Sequence, residues 1–97
     1  MSEPDYLACL YLIPEHMQEA VVRWIEYGYR APPGDFLSAF LSNDLRETFG
    51  RADDTNLQHI KDYVVYFYNY APAGCWGRAD VLETWDGIKP LKEEKSA

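Results

Sequence analysis

Apolar and polar residues alternate with a helical period along most of the chain, and the clearest example lies between residues 32 and 50. Two prolines and a glycine favour a turn just before Asp35, a residue type that accepts hydrogen bonds from the free N–H groups of a helix start. Apolar residues then recur at i, i+4 spacing as far as Gly50, a residue type that often ends helices. This pattern predicts one continuous helix with four core side chains: Phe36, Phe40, Leu41 and Leu45.

The same periodicity predicts two more long helices and a short one. One long helix spans 15–27, and the other starts at a capping box formed by Thr55 and Gln58 and ends before Pro72. A short helix spans 80–85. The helix that starts at the capping box is expected to bury Leu57, Ile60, Val64, Phe67 and Ala71.

These elements predict an all-α fold, a compact bundle of three main helices plus a short C-terminal helix. Residues 1–88 are enough for a single helical domain with its own core. Residues 89–97 are rich in charge and are expected to form a disordered tail. The apolar stretch 6–13 has no clear period, so an extended segment and a short helix both remain open there.

The net charge of −7 indicates which classes of partner the protein can bind. It disfavours direct binding to nucleic acid, which depends on Lys and Arg at the phosphates. It suits a partner protein with a basic surface, and it equally suits simple solubility. No apolar run approaches the roughly 18 residues of a membrane span, and no leader is visible, so we expect a cytoplasmic protein without membrane contact.

Residue types that catalyse reactions or bind metals lack the spacing that such sites need. Cys9, Cys75, His16 and His59 are far apart in the sequence, so no metal site is predicted. In a cytoplasmic protein both thiols are expected to be reduced, although one disulfide remains open. There is no serine-nucleophile motif and no glycine-rich phosphate loop. We therefore predict no catalytic residues and no cofactor, and the chain is not expected to be an enzyme.

Acidic residues and two tyrosines are the candidates for binding a partner. Glu15, Glu19 and Glu26 share the predicted outer face of the first helix, where acids four residues apart repel slightly. An ordinary solvated face is the alternative interpretation. Tyrosines at 66 and 70 flank the apolar face of a later helix, and tyrosine is enriched at interface hot spots. The predicted partner-binding residues are Glu15, Glu19, Glu26, Asp35, Asp44, Glu47, Asp53, Asp54, Tyr66 and Tyr70.

A set of short motifs over about residues 14–85 resembles a family of small proteins encoded by phages and prophages. The motifs are Pro32-Pro33-Gly34-x-Phe36-Leu37, Asn43-Asp44-Leu45, Gly50-Arg51-Ala52-Asp53, Asn56, and Tyr68-Asn69-x-Ala71-Pro72-x-x-Cys75-Trp76-Gly77. Where such proteins continue with a Ser-Pro-Glu helix start, this chain has Arg78-Ala79-Asp80. The resemblance implies an accessory protein of anti-defence type that acts in the bacterial cytoplasm, and it supplies no catalytic residues.

Charge and resemblance together predict a protein that binds and inhibits a host complex. The expected partner is a nucleic-acid-binding defence complex with a basic surface, as for anti-CRISPR proteins, and the acidic side chains would imitate nucleic-acid phosphates. The alternative is a structural or assembly module that self-associates through its aromatic surface and inhibits nothing. The sequence leaves the partner's identity and the oligomeric state open.

Overall fold

In the computed structural model, which describes residues 4–89, the chain folds into seven α-helices and three 3₁₀ turns. No strand occurs within these residues. The all-helical class is therefore confirmed, but a bundle of three main helices is not, because four helices have seven residues or more. The helices are α1 (Asp5–Ala8), α2 (Glu15–Tyr27), α3 (Asp35–Leu41), α4 (Leu45–Arg51), α5 (Asp54–Gln58), α6 (Ile60–Asn69) and α7 (Val81–Thr84). The 3₁₀ turns are Leu10–Leu12, Gly28–Arg30 and Ala73–Cys75.

The helix predicted between Asp35 and Gly50 is broken into α3 and α4. Asn43 adopts a left-handed backbone conformation with φ of 67°, which ends α3. The Asp44 side chain then accepts a hydrogen bond of 3.2 Å from the N–H of Glu47 and caps α4. Gly50 lies inside α4 and does not end it. The continuous helix was therefore a wrong prediction.

This break changes which side chains are buried. Phe36, Phe40 and Leu41 lie in the core, as predicted. Leu45 is 73% exposed, so its predicted place in the core is wrong. The left-handed residue reorients the chain, and the i, i+4 register of α3 does not continue into α4.

The helix predicted to begin at the Thr55–Gln58 capping box is also divided. His59 has non-helical φ and ψ of −108° and 13°, and it separates α5 from α6. The observed cap of α5 is Asp53, whose carboxylate accepts a hydrogen bond of 2.7 Å from the N–H of Asn56. An Asp cap two residues earlier replaces the predicted box.

Only part of the row of side chains that this predicted helix was expected to bury lies inside, and the last of them, Ala71, comes after the end of α6 at Asn69. Phe67 is fully buried, whereas Ile60 and Ala71 are half-buried. Leu57 and Val64 are exposed, so the prediction is wrong for these two. The fully buried face of α6 carries Tyr63, Tyr66 and Phe67 instead.

The core is built around the ring of Phe40 from α3. Its centroid lies 5.6 Å from that of Tyr63, 5.5 Å from that of Phe67 and 5.6 Å from that of Trp76. The Phe40 and Trp76 rings are nearly parallel, at 9°. Aromatic pairs at such distances add to the gain from burying their apolar area.

Trp24 joins α2 to the residues that follow α6. Its side chain is fully buried, and its indole N–H donates a hydrogen bond of 2.8 Å to the carbonyl oxygen of Cys75. The indole N–H of Trp85 donates in turn to the carbonyl oxygen of Trp24 at 3.0 Å. Both tryptophans therefore satisfy their indole N–H groups, Trp24 while fully buried and Trp85 while half-buried.

Residues 87–89 pass close to the last turn of α2. Gly87 has φ of 89°, and a Cβ at this position would lie 2.2 Å from the carbonyl oxygen of Glu26. The backbone N–H of Lys89 donates to that same oxygen at 3.0 Å. Lys89, the first residue of the predicted tail, is therefore attached to α2. The rest of that prediction, residues 90–97, lies outside the described residues.

The apolar stretch 6–13, left open by its sequence, is helical. It contains most of α1 and the 3₁₀ turn Leu10–Leu12, and both Tyr6 and Ile13 are buried. The predicted short helix over 80–85 is also observed, as α7. Among residues 4–89, no helix combines the length and the apolar character required to cross a membrane.

Candidate partner-binding surface

A contact between α2 and α5 brings the first group of predicted acids together. The Nε2 atom of His16 lies 3.1 Å from a carboxylate oxygen of Asp53. Glu15 and Glu19 are exposed on either side of His16, and Asp54 follows Asp53 at the start of α5. Four carboxylates from two helices therefore share one side of the molecule.

Arg51 brings a second group of acids together at the start of α3 and along α4. One guanidinium nitrogen lies 3.2 Å from a carboxylate oxygen of Asp35, and Nε lies 3.1 Å from one of Glu47. Asp44 lines the same shallow depression. These carboxylates are on the side of α4 that faces α3.

The two groups lie next to each other along the chain, because Arg51 at the end of α4 and Asp53 at the start of α5 are two residues apart. We call the combined surface the acidic band. Arg51 and Arg23, which is 3.9 Å from Glu19, are the guanidinium groups paired within it, so carboxylates outnumber them. The acidic band consists of Glu15, Glu19, Asp35, Asp44, Glu47, Asp53 and Asp54.

Asp53 has the strongest local reason to stay ionised. The N–H of Asn56 donates to its carboxylate, and this hydrogen bond lowers the pKa of Asp53 below the usual value. The neighbouring His16 lowers the pKa of Asp53 further. Its negative charge therefore persists to lower pH than that of an ordinary surface aspartate.

Glu26 does not belong to the acidic band, and its predicted exposed position is wrong. It is only 9% exposed. The Tyr6 hydroxyl donates a hydrogen bond of 2.7 Å to its carboxylate, and the Nζ atom of Lys89 lies 3.2 Å from the same oxygen. At 3.6 residues per turn Glu26 does share a helix face with Glu15 and Glu19. Segments from both ends of the chain cover that face at the last turn of α2.

Tyr66 is also unavailable to a partner in this fold, contrary to its predicted place on an exposed flank. It is fully buried, and its hydroxyl donates a hydrogen bond of 2.6 Å to the carbonyl oxygen of Tyr6. Burial raises the pKa of the Tyr66 hydroxyl. Tyr70 is half-buried against the core. The aromatic surface proposed for self-association is therefore reduced to part of Tyr70.

Sequence reasoning missed an apolar groove on the opposite side of α4. The groove consists of two adjoining depressions that share Asn43 and Trp76, and Leu45 of one and Tyr68 of the other are 73% and 78% exposed. The pair Asn43-Asp44 was the available signal, since asparagine tolerates left-handed backbone and aspartate caps helices. The residues that define the apolar groove are Leu45, Phe49, Ile60, Val64, Tyr68 and Trp76.

No group of three or more His, Cys, Asp or Glu side chains within residues 4–89 is arranged to hold a metal ion. Cys9 and Cys75 are both free thiols. Cys75 is fully buried, and burial raises the pKa of its thiol to about 12. It is therefore protonated, and inert as a nucleophile, near neutral pH.

The geometry thus offers two surfaces, a band of carboxylates and an apolar groove, on opposite sides of α4. Neither contains the paired nucleophile and base of a catalytic site. The phage and prophage resemblance stays a prediction. Comparison with known proteins found no family model, no curated protein and no solved structure that matches this chain.

Proposed function

We propose that this protein is a non-enzymatic inhibitor that binds a nucleic-acid-binding complex of a bacterial host. In this proposal the acidic band occupies a basic groove on the complex and thereby excludes the nucleic acid. The phage resemblance and the net charge of −7 motivate the choice of partner.

The observation that supports the proposal is that side-chain contacts gather acidic residues from separate helices into the two groups of the acidic band. Its seven carboxylates come from residues scattered between positions 15 and 54, and the His16–Asp53 and Arg51–Asp35 contacts hold the helices that carry them next to each other. A band of like charge steers a basic partner over a distance of about one Debye length, roughly 8 Å at physiological salt. Such steering favours fast association with a cationic groove.

The charge of the band is uneven, which indicates where a partner would be held most firmly. Arg51 partly neutralises Asp35 and Glu47. Glu15 and Asp54 have no basic side chain within 4.0 Å among the described residues. Glu15 and Glu19 are about 6 Å apart along the helix axis at 1.5 Å per residue. This end of the band is the best match to a row of phosphates.

A charge-neutralising variant of that end tests the proposal. We would combine Glu15→Gln, Glu19→Gln and Asp54→Asn, leaving the helix cap Asp53 in place. The matched control combines Asp5→Asn, Glu83→Gln and Asp86→Asn, three exposed acids outside the band. Both variants lose three negative charges. A difference in inhibition between them would therefore reflect where the charges lie and not the net charge of the protein.

The tagged protein is first used to capture partners from bacterial lysate, and each captured complex is then purified for competition against its own DNA or RNA. The wild type and the control are expected to block nucleic-acid binding, with an inhibition that weakens as salt rises. The band variant is expected to lose the inhibition. Capture of no nucleic-acid-binding complex, or equal inhibition by both variants, would rule the proposal out.

A further inference from the structure

We propose that the apolar groove is a docking site for an amphipathic helix of another protein, one that carries acidic residues beside its apolar face. The groove lies on the side of α4 away from the acidic band. The inference therefore concerns a second surface and does not depend on the proposed function.

The walls of the groove have the geometry of a helix-binding site. Leu45 and Phe49 lie four residues apart on α4, and Ile60, Val64 and Tyr68 repeat at the same interval on α6. At 1.5 Å per residue the α6 row extends about 12 Å, close to two turns of a docked helix. Apolar residues spaced at i, i+4 and i+7 on a partner are the usual occupants of such grooves.

Its floor is formed by aromatic rings that pack against each other, and it is therefore firm. Trp76 lines the groove and stacks on Phe40 with centroids 5.6 Å apart. Trp76 also lies 5.7 Å from the ring of Phe67. The deeper part of the groove has a volume of about 180 Å³. A large apolar anchor on the partner would fit this space without repacking of the core.

The charges at the rim decide what kind of helix fits. Arg46 follows Leu45 on α4, and Lys61 lies seven residues before Tyr68 on the same face of α6. Both are exposed, and neither has a carboxylate within 4.0 Å among the described residues.

Every other Lys or Arg within residues 4–89 has a partner. Four of them lie near a carboxylate, and Arg30 donates to the carbonyl oxygen of Asp86. Although the chain has a net charge of −7, the two cations that are unpaired within residues 4–89 thus flank the apolar groove. The complementary partner carries Asp or Glu beside its apolar stripe.

A second copy of this chain is a poorer occupant. A symmetric pairing of two grooves would bring Arg46 and Lys61 of one copy towards those of the other, and like charges disfavour such contacts. Six residues also define the groove. A stable dimer interface uses about 20–30 residues on each side. A short helical segment matches the size better.

Two peptide display libraries test the inference. Both present helical peptides with Leu, Ile, Phe, Met, Val or Trp varied at i, i+4 and i+7. One library has Glu at the flanking positions, and the other has Lys. The full chain is the bait, and selected peptides are measured against the wild type, the groove variant Leu45→Ser/Tyr68→Ser and the control Tyr11→Ser. Tyr11 is as exposed as the two groove residues but does not line the groove.

We expect enrichment from the Glu library alone. Selected peptides should lose at least about tenfold in affinity for the groove variant and almost nothing for Tyr11→Ser, since hot-spot residues dominate such contacts. Arg46→Glu/Lys61→Glu should transfer the preference to the Lys library. Enrichment from neither library, or more from the Lys library, would overturn the inference. So would equal binding by the groove variant.

Sedimentation equilibrium of the chain alone tests whether a second copy of the chain occupies the groove. The protein is expected to stay monomeric as its concentration rises. Self-association that the groove variant abolishes would assign the groove to a second copy and overturn the inference. Because Leu45 and Tyr68 are exposed, their replacement should leave stability within about 0.5 kcal/mol, which circular dichroism and urea denaturation verify.

Discussion

The hydroxyl of Tyr6 donates a hydrogen bond of 2.7 Å to the buried carboxylate of Glu26, twenty residues further along the chain. Lys89 reaches the same carboxylate oxygen from the other end, with its Nζ atom 3.2 Å away. A single side chain on the last turn of α2 thus joins the first helix to the segment after α7. A buried charge is tolerated when it is paired and hydrogen-bonded, as this one is.

Replacement of Tyr6 by Phe should destabilise the protein. The ring would still fill its place, but the Glu26 carboxylate would lose a donor inside the fold, at a cost of about 1–3 kcal/mol. Urea denaturation measures the loss. Tyr11→Phe is the matched control, because that side chain is 74% exposed and its hydroxyl makes no hydrogen bond to another side chain or to the backbone within residues 4–89. Identical unfolding curves for the two variants would contradict the role of the Tyr6–Glu26 contact.

Stability should also fall in alkaline solution. Burial, followed by the hydrogen bond to Glu26, raises the pKa of Tyr6 from 10.0 to about 12 in the folded state. A folded-state pKa above the unfolded value stabilises the fold fully below pH 10, and this contribution is lost as pH rises from 10 to about 12. Burial raises the pKa values of Tyr63 and Tyr66 as well, in the same direction.

Urea denaturation at a series of pH values between neutral and strongly alkaline measures this dependence. The free energy of unfolding of Tyr6→Phe should decline less steeply with pH than that of the wild type. Tyr11→Phe should keep the wild-type slope, and general effects of lysine deprotonation cancel in the comparison. Equal slopes for all three proteins would show that the Tyr6 proton is not linked to folding.

The sequence predicted the bounds of a helix correctly where a start signal and a stop signal both coincide with its observed ends. Pro14 and Gly28 bracket α2, and the predicted span agrees with the observed one. The breaks at Asn43 and His59 were missed because apolar residues continue across both at helical spacing, i, i+4 at the first break and i, i+3 at the second. One or two residues with non-helical backbone angles leave that spacing intact, although they change the direction of everything that follows.

In the candidate surface, too, local sequence predicted part of the structure, and contacts between residues distant in sequence determined the rest. Glu15 and Glu19 are exposed because their helix face is open at its first turns. Glu26 lies on that same face, but Tyr6 and Lys89 cover it, and neither is near Glu26 in sequence. Helical periodicity assigns a residue to a face of its helix. Only the tertiary fold decides whether that face is covered.

Two substitutions test whether Asp53, and not the predicted box of Thr55 and Gln58, caps α5. Asp53→Ala removes the carboxylate that accepts from the Asn56 N–H, so it should lower the urea midpoint. Thr55→Ala should leave the midpoint nearly unchanged, because the hydroxyl of this exposed residue is not the observed cap. A larger loss for Thr55→Ala would restore the capping box that the sequence suggested.

The Asp53 cap also predicts a dependence on acid. The pKa of Asp53 is lowered in the folded state, mainly by the hydrogen bond from Asn56. Its contribution to stability is therefore present above the unfolded value of about 3.9 and is lost as pH falls through the lower folded value. The midpoint difference between wild type and Asp53→Ala should shrink in strongly acidic urea. A difference that persists unchanged would mean that charge has no part in the cap.

Because the helix is broken at Asn43, alanine substitutions at Gly50 and at Asn43 should change the stability of the protein in opposite directions. Gly50 lies inside α4, and a Cβ built there meets nothing within 4 Å. Gly50→Ala should therefore stabilise the protein by about 0.5–1 kcal/mol, since glycine is unfavourable in a helix interior. Asn43→Ala should destabilise it by about 1 kcal/mol, because alanine resists the left-handed conformation at φ of 67°. A continuous helix would reverse both signs, since Gly50 would then end it in a left-handed conformation and Asn43 would lie within it. Thermal and urea denaturation of the two single variants therefore distinguishes the broken helix from the continuous one.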